Sequence, residues 1–507
     1  MQFTSFYFML FFAAALLVYY LVPVRIRWVM LLALSVIYYL LSGNGVLILY
    51  PFAVCTAAWI GIRIMGKTKE PKKRRAALAG VVLLLLGILF ILKYINFGIN
   101  TINGIALLFG AEGQLVRGLD WLVPLGISFY TFTVLGYVID VYNDIAAPQP
   151  NLLKLCLYGM YFPAVLSGPI LRYREDGQQF FEPHRLDYRQ LTFGLQRMLW
   201  GFFKTLVISE RMRVAVNTVY DSYTEYSGAA IWIATACYAF QLYTNFSGCM
   251  DIALGMSECF GIKLPENFNT PFFSKSISEY WRRWHITLGV WMKEYLFYPL
   301  LRTEAFTKLG KKMRDKLGKK RGKQFTTFLA MLILWFAVGI WHGGEWKYVI
   351  GSGLLHWFYI VTGELLQPVF KKGMEKCGVN PENRFLDVLR ILRTFFLVNI
   401  GFVFFRALSV HDAVGMLGRA LQAGGRTMFS EGVFLGMSTV EWVVAIIGLL
   451  LLFCVSLLQQ KGSVREWIAK KKLPLRWMIW YGLLFATILW GYYGPGYSAS
   501  EFIYQGF

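Results

Sequence analysis

A chain of 507 residues that is 57% hydrophobic, 17% aromatic and only 16% charged lies outside the range of soluble globular proteins, in which about a quarter of residues are charged. Its formal net charge of +22 would suit a nucleic-acid binder if the cations formed one surface, but they cluster in short segments between apolar runs. That distribution excludes a nucleic-acid partner and is the positive-inside pattern of a membrane protein in contact with lipid headgroups.

Taken in order, apolar runs near the ~20 residues a spanning helix needs recur from end to end, among them Phe6–Leu21, Val46–Ile62, Ala76–Leu92, Thr327–Ile340 and Val443–Leu457. The prediction is an all-α polytopic membrane protein with roughly eleven to fourteen membrane helices plus amphipathic and re-entrant ones. Residues 1–507 read as one membrane domain, with scaffold helices over 1–111, a catalytic core over 121–366 and C-terminal helices over 394–507. The cations at Arg25, Arg27 and Lys67–Arg75 place those loops in the cytoplasm and both termini, including Gly491–Phe507, outside a cell membrane crossed many times. The first apolar run lacks a preceding basic segment and reads as a retained helix rather than a signal peptide. Gly61-Ile62-Arg63-Ile64-Met65-Gly66-Lys67-Thr68 matches the phosphate-loop pattern formally, but it leaves a spanning helix instead of joining a strand to a helix, so nucleotide binding is rejected. Seven cysteines without paired spacing read as small hydrophobes, and no metal site is expected.

From Val123 onward the apolar runs become more polar, and Pro and Gly interrupt Tyr161–Tyr173; broken backbone at membrane depth must be buried in protein or line a cavity. Arg197 and Lys204 share a helix face, where Lys204 is a candidate contact for an anionic donor or a buried carboxylate. Gln241 and Asn245, like Ser247 and Asp251, are spaced to stack on shared faces of an apolar helix. An intramembrane Asp251 is costly unless it is paired or faces a wet cavity, so it is either a pair joining two helices or a site residue.

Ser276-Ile277-Ser278-Glu279 matches a capping box, Glu279 precedes Arg283 by the favourable i,i+4 spacing, and one amphipathic helix is expected to carry Trp281 and His285 on one stripe and Arg282 and Lys293 on another. A basic loop, Arg302–Lys323, follows with ten Lys or Arg. The next apolar run ends in Trp341-His342-Gly343-Gly344, where the diglycine lets the backbone turn. Of five histidines, His342 and His285 sit among the rarest polar groups in apolar surroundings; His356 reads as a core residue, and His184 and His411 as surface. No zinc-protease, nucleophile-elbow or His-to-Asp acyltransferase pattern is present, and what remains is a buried imidazole able to take a proton from an alcohol during acyl transfer from a thioester.

At these residues the chain resembles the membrane-bound O-acyltransferase superfamily, most closely its alginate O-acetyltransferase-like bacterial branch. The carriers are Pro124–Phe132, Phe162–Arg172, Tyr243–Gly255, Leu264–Pro299, Gly339–Trp346, Phe402–Ala407 and the terminal Phe502-Ile503-Tyr504, with Trp281–His285 and Trp341-His342-Gly343 as the specific combination. The resemblance implies a ring of tilted transmembrane helices around a central tunnel, His342 and His285 as catalytic histidines, and Asn245, Asp251, Lys204, Trp281, Arg282, Arg283 and Trp341 as substrate or tunnel candidates. It also implies acetyl-CoA as donor with no bound cofactor, a polysaccharide acceptor outside the cell or in its wall, and a secreted or membrane-anchored O-acetyltransferase partner. Two rivals stand beside it: D-alanine transfer to teichoic acid from the thioester of an acidic acyl-carrier protein, and a lipid-linked sugar transporter or flippase using histidine proton relays.

Overall fold

The computed structural model describes residues 1–120, 122–166, 168–424, 429–430 and 433–494. The terminal Phe502-Ile503-Tyr504, like Ser167 within Phe162–Arg172, lies outside them. The described chain is helical almost throughout; its strands are Phe429–Ser430, Val433–Phe434 and Met437–Ser438, paired antiparallel in that order.

Eight described helices are long and apolar enough to cross a membrane, from Val24–Gly43 to Leu473–Trp490, and Phe6–Leu21 and Ile127–Tyr142 are shorter apolar helices. The larger number read from the sequence includes Ile231–Leu242, which forms part of a 32-residue helix, Gly228–Cys259, that is dense in buried polar side chains. Lipid contact is legible in the burial of the others. On Thr439–Gln459 the large apolar side chains Val443, Ile447 and Leu450 are exposed, which a membrane tolerates and water does not. The phosphate-loop mimic is simply helix: Leu49–Lys67 runs through it, and a Cβ on Gly61 would come 2.1 Å from Val81 Cγ2, so this glycine permits close helix packing.

The chain divides into two compact units. The first comprises 1–211, 241–266 and 443–507. Within it Leu49–Lys67 packs against Pro71–Leu89, Ile127–Tyr142 and Leu152–Met160, around buried aromatics such as Tyr130 and Tyr137. Tyr188–Phe202 continues into a π-helical segment, Phe203–Ser209, whose wider turn carries Lys204.

The second unit comprises 212–240 and 267–442. Its centre is the helix Glu304–Gly343, against which the chain returns through the π-helical segment Val349–Leu354; Arg384–Arg406 packs on that segment from another side. Glycines make the return tight: a Cβ on Gly339 would lie 2.6 Å from Val349 Cα, and one on Gly353 would lie 2.6 Å from the Trp335 carbonyl oxygen.

Two expectations are corrected here. The basic stretch Arg302–Lys323 is helix rather than loop. Thr303 caps Glu304, Lys, Arg, Leu and Met favour helix, and the chain changes direction only at Gly318, at φ 79°. The amphipathic helix after Ser276 is two short helices, Ile277–Arg283 and Ile286–Met292, broken at His285. Asn269 N–H donates to the Arg283 carbonyl and Ile286 N–H to the Asn267 carbonyl, so a short extended strand takes hydrogen bonds that a continuous helix would have used internally.

Candidate functional site

The site is built from the break at His285 and the turn at His342. Ser276 Oγ accepts from Glu279 N–H, while the Glu279 carboxylate accepts from Lys275 N–H and pairs with Arg283 at 2.8 Å, so the start of the helix is tied down as the sequence suggested. Arg283 also donates to Thr270 Oγ1, whereas Arg282 is exposed. Four residues after Trp281 the chain enters the left-handed region at His285, φ 46° and ψ 51°, a conformation that costs a non-glycine residue about 1–2 kcal/mol. Such strain persists where surrounding structure over-determines it.

Asn267 supplies the determination. Its Oδ1 accepts from Thr287 N–H and from Thr287 Oγ1, each at 3.0 Å, and lies 3.3 Å from His285 Nδ1. An atom that accepts a backbone N–H is an oxygen, so His285 Nδ1 carries the proton and donates, leaving the lone pair on Nε2. His285 lies between the spanning helices rather than in one. Burial lowers its imidazole pKa to about 3, so the ring is neutral at physiological pH. Asn267 was not singled out from the sequence. It stands in a Pro-bounded connection, and no periodicity links it to a histidine so far along the chain.

His342 ends the helix Glu304–Gly343, and Gly344, at φ 64° and ψ 40°, closes that helix with its N–H on the Ile340 carbonyl. This is the sharp turn the diglycine suggested. The two histidine motifs meet at one indole. The Trp341 ring lies 5.5 Å from the His285 ring and 5.2 Å from the His342 ring, tilted by 64° and 71°, and Phe405 faces His342 at 5.4 Å. Both imidazoles are buried. Trp281 lies apart from this group, 4.8 Å from Trp335 and 5.0 Å from His356, in the same unit.

Lys204, Asn245 and Asp251 belong to the other unit, where Lys204 and Asp251 form a charged interior with Arg197. Lys204 Nζ is 2.6 Å from Asp251 Oδ2 and donates to Ser247 Oγ; Arg197 Nε is 2.9 Å from Asp251 Oδ1, and its two terminal nitrogens grip Glu266 at 2.7 and 2.6 Å. Close approach is again a glycine effect, since a Cβ on Gly248 would lie 2.3 Å from Thr205 Oγ1 and one on Gly201 2.6 Å from the Gly248 carbonyl. Asn245 is buried on the same helix, six residues before Asp251.

Comparison with known proteins bears on the same region. The model of the membrane-bound O-acyltransferase family matches residues 142–374, which include both histidine motifs. A probable alginate O-acetylase of Pseudomonas aeruginosa is 32% identical over 415 residues, 82% of this chain and 73% of the relative. The chain belongs to the membrane-bound O-acyltransferase family. Within that family it falls in the alginate O-acetylase-like branch and is a multi-pass membrane O-acyltransferase. That assignment sets aside the transporter reading. More distant family relatives include a peptidoglycan O-acetyltransferase of Helicobacter pylori, 30% identical over 59% of this chain and 57% of its own length. A teichoic acid D-alanyltransferase of Bacillus subtilis is 29% identical over 57% of this chain and 69% of its own length.

Proposed function

We propose that this O-acyltransferase moves an acetyl group from cytoplasmic acetyl-CoA across the cell membrane for O-acetylation of an extracellular or cell-wall polysaccharide, with His342 as general base. The observation that carries the proposal is the pair of buried imidazoles that both pack against the motif tryptophan Trp341. The names of the relatives supply the substrate class: alginate, peptidoglycan and teichoic acid are all polymers at or beyond the cell surface.

In the proposed reaction, neutral His342 takes the proton of an acceptor hydroxyl as its oxygen attacks the thioester carbonyl. The C–O bond forms, the tetrahedral intermediate collapses with cleavage of the C–S bond, and the departing thiolate receives the proton from the imidazolium. General base assistance of this kind contributes about 10²–10⁴ in rate. His285, oriented by Asn267, assists beside it. The acetyl group passes either directly to the polymer or to a secreted or membrane-anchored O-acetyltransferase that completes delivery. Both termini are assigned to the outside and the cationic helical turns around Gly318 to the cytoplasm, in line with the positive-inside distribution.

A second reading, D-alanyl transfer from an acidic acyl-carrier protein to teichoic acid, is favoured by the D-alanyltransferase relatives. One experiment separates the two. Polysaccharide-bound ester is measured in cells producing wild type, His342→Ala or His285→Ala at equal membrane levels, and mass spectrometry identifies the acyl group released. Acetyl release that disappears in His342→Ala supports the proposal. D-alanine release moves the chain to the second reading, and full esterification by His342→Ala removes His342 from the chemistry.

A further inference from the structure

Within the first unit, the helix Tyr188–Phe202, the end of Gly228–Cys259 and the short helix Val464–Ala469 line a cleft of about 190 Å³, against the ~10–15 Å³ that a single water needs. Its polar lining is Gln190, Arg197, Glu258, Lys263, Glu266 and Arg465.

The cleft stands level with the ends of three spans. Val464–Ala469 joins Thr439–Gln459 to Leu473–Trp490, and Tyr20 Oη, just before the span Val24–Gly43, donates to the Cys259 carbonyl at 2.7 Å. Trp467, two residues after Arg465, is half exposed with Lys471 Nζ 4.2 Å from its ring, an indole and a cation of the kind that mark a membrane–water interface.

Some of the polar groups are spent and others are not. Arg197 uses all three of its nitrogens on Asp251 and Glu266. Arg465 uses only Nη1, which donates to Glu258 Oε2 and to the Phe193 carbonyl, each at 2.7 Å, while its guanidinium lies over the Phe193 ring. Its Nε and Nη2, like Glu258 Oε1 and the Gln190 amide, have no hydrogen-bond partner among the described residues. Lys263 is held by its backbone: Gln179 Oε1 accepts from its N–H at 2.8 Å and Gln179 Nε2 donates to its carbonyl at 2.9 Å. Its ammonium has neither a hydrogen bond nor an ion pair among the described residues.

The charges at the cleft leave one positive. Arg197 and Lys204 are balanced by Asp251 and Glu266, Arg465 by Glu258, and Lys263 by nothing in the lining. One negative charge with several acceptor oxygens is a phosphodiester. The nucleotide phosphates of coenzyme A carry several charges, more than this cleft compensates. Glu258 Oε1 accepts a hydroxyl or ammonium proton from the far end of the same headgroup.

We propose that this cleft binds the headgroup of a membrane phospholipid, with the phosphodiester oxygens accepting from Arg465 and Lys263 and a terminal hydroxyl or ammonium of the headgroup donating to Glu258. The acyl chains run into the bilayer from the level of Trp467, and the face is the one assigned above to the cytoplasm. The lipid then ties together three stretches that are distant in sequence, around residues 190, 260 and 465. The site is independent of which acyl group the protein transfers.

The test uses the full-length protein, purified and delipidated in detergent, with dioctanoylphosphatidylglycerol as the probe. Native mass spectrometry counts bound lipid and the shift in apparent melting temperature gives Kd. One lipid is expected per chain. Lys263→Gln weakens Kd about tenfold, the loss of one charged hydrogen bond, and Arg465→Gln weakens it at least as much. Lys461→Gln, which alters an exposed lysine outside the cleft, leaves Kd unchanged. Because the Lys263 side chain holds nothing else, that variant stays informative if Arg465→Gln fails to fold. Equal weakening in Lys461→Gln would reduce the effect to general surface charge and overturn the site, as would the absence of binding. Equal stabilisation by dioctanoylglycerol would show that hydrocarbon alone is recognised, and equal stabilisation by the chain-free glycerophosphoglycerol or by coenzyme A would assign the cleft to a soluble phosphate; either result overturns the lipid site.

Discussion

Asp251 joins two cations in the first unit, Lys204 and Arg197, and its removal gives a sharp test of what that interior is for. Asp251→Asn keeps the shape but takes away the charge that faces Lys204 at 2.6 Å and Arg197 at 2.9 Å. Arg197 retains its two bonds to Glu266, so the larger deficit falls on Lys204, which keeps the neutral Ser247 hydroxyl. Breaking a buried pair by removing one partner costs about 3–5 kcal/mol. That is a large share of the ~5–15 kcal/mol of stability typical of a folded domain. Replacing both members, Lys204→Met with Asp251→Leu, removes the stranded cation, and the remaining cost is the one charged hydrogen bond lost by Arg197, about 1.5–3 kcal/mol. The apparent melting temperature in nanodiscs is therefore expected to fall most in Asp251→Asn and to recover partly in the double variant, with esterification following the amount of folded protein. The reasoning fails if Asp251→Asn is as stable as wild type. It also fails if the double variant is folded and abundant yet makes no ester, because the pair would then act in the chemistry rather than in holding the unit together.

Other outcomes follow from single contacts. Asn267→Leu removes the acceptor shared by Thr287 and His285 and is expected to destabilise the protein by about 2–4 kcal/mol, while Asn267→Asp, which keeps an oxygen there, recovers most of the stability; equal melting temperatures for the two would refute the clamp. Gly344→Ala forces a Cβ into a left-handed residue and should cost about 1–2 kcal/mol, with lower esterification per folded molecule because His342 is two residues away; normal activity and stability would show that the turn tolerates strain. An epitope inserted at the exposed turn of Gly318 should be reached by antibody in inside-out vesicles and not in intact cells; surface staining of intact cells would reverse the proposed orientation.

Composition and local pattern were enough to establish a polytopic helical membrane protein, the cap at Ser276, the Glu279–Arg283 pair and the turn after His342. Each depends on residues within about one helical turn of one another, and helix geometry makes such neighbours predictable. Tertiary structure decided the rest. Whether Arg302–Lys323 was loop or helix depended on packing of its small residues, since a Cβ on Gly322 would lie 2.4 Å from the Arg314 backbone nitrogen. The break at His285 depended on an extended strand from Asn267 to Asn269 competing for backbone hydrogen bonds, and Lys204 found its carboxylate on a different helix. His356 shows the limit most clearly. A histidine in an apolar run reads as a core residue until its neighbours are known, and only the fold reveals that its Nδ1 and the indole nitrogen of the adjacent Trp281 are buried without a hydrogen-bond partner among the described residues. Periodicity records which face of a helix is buried; what that face meets is set by contacts between distant parts of the chain, which no local period encodes.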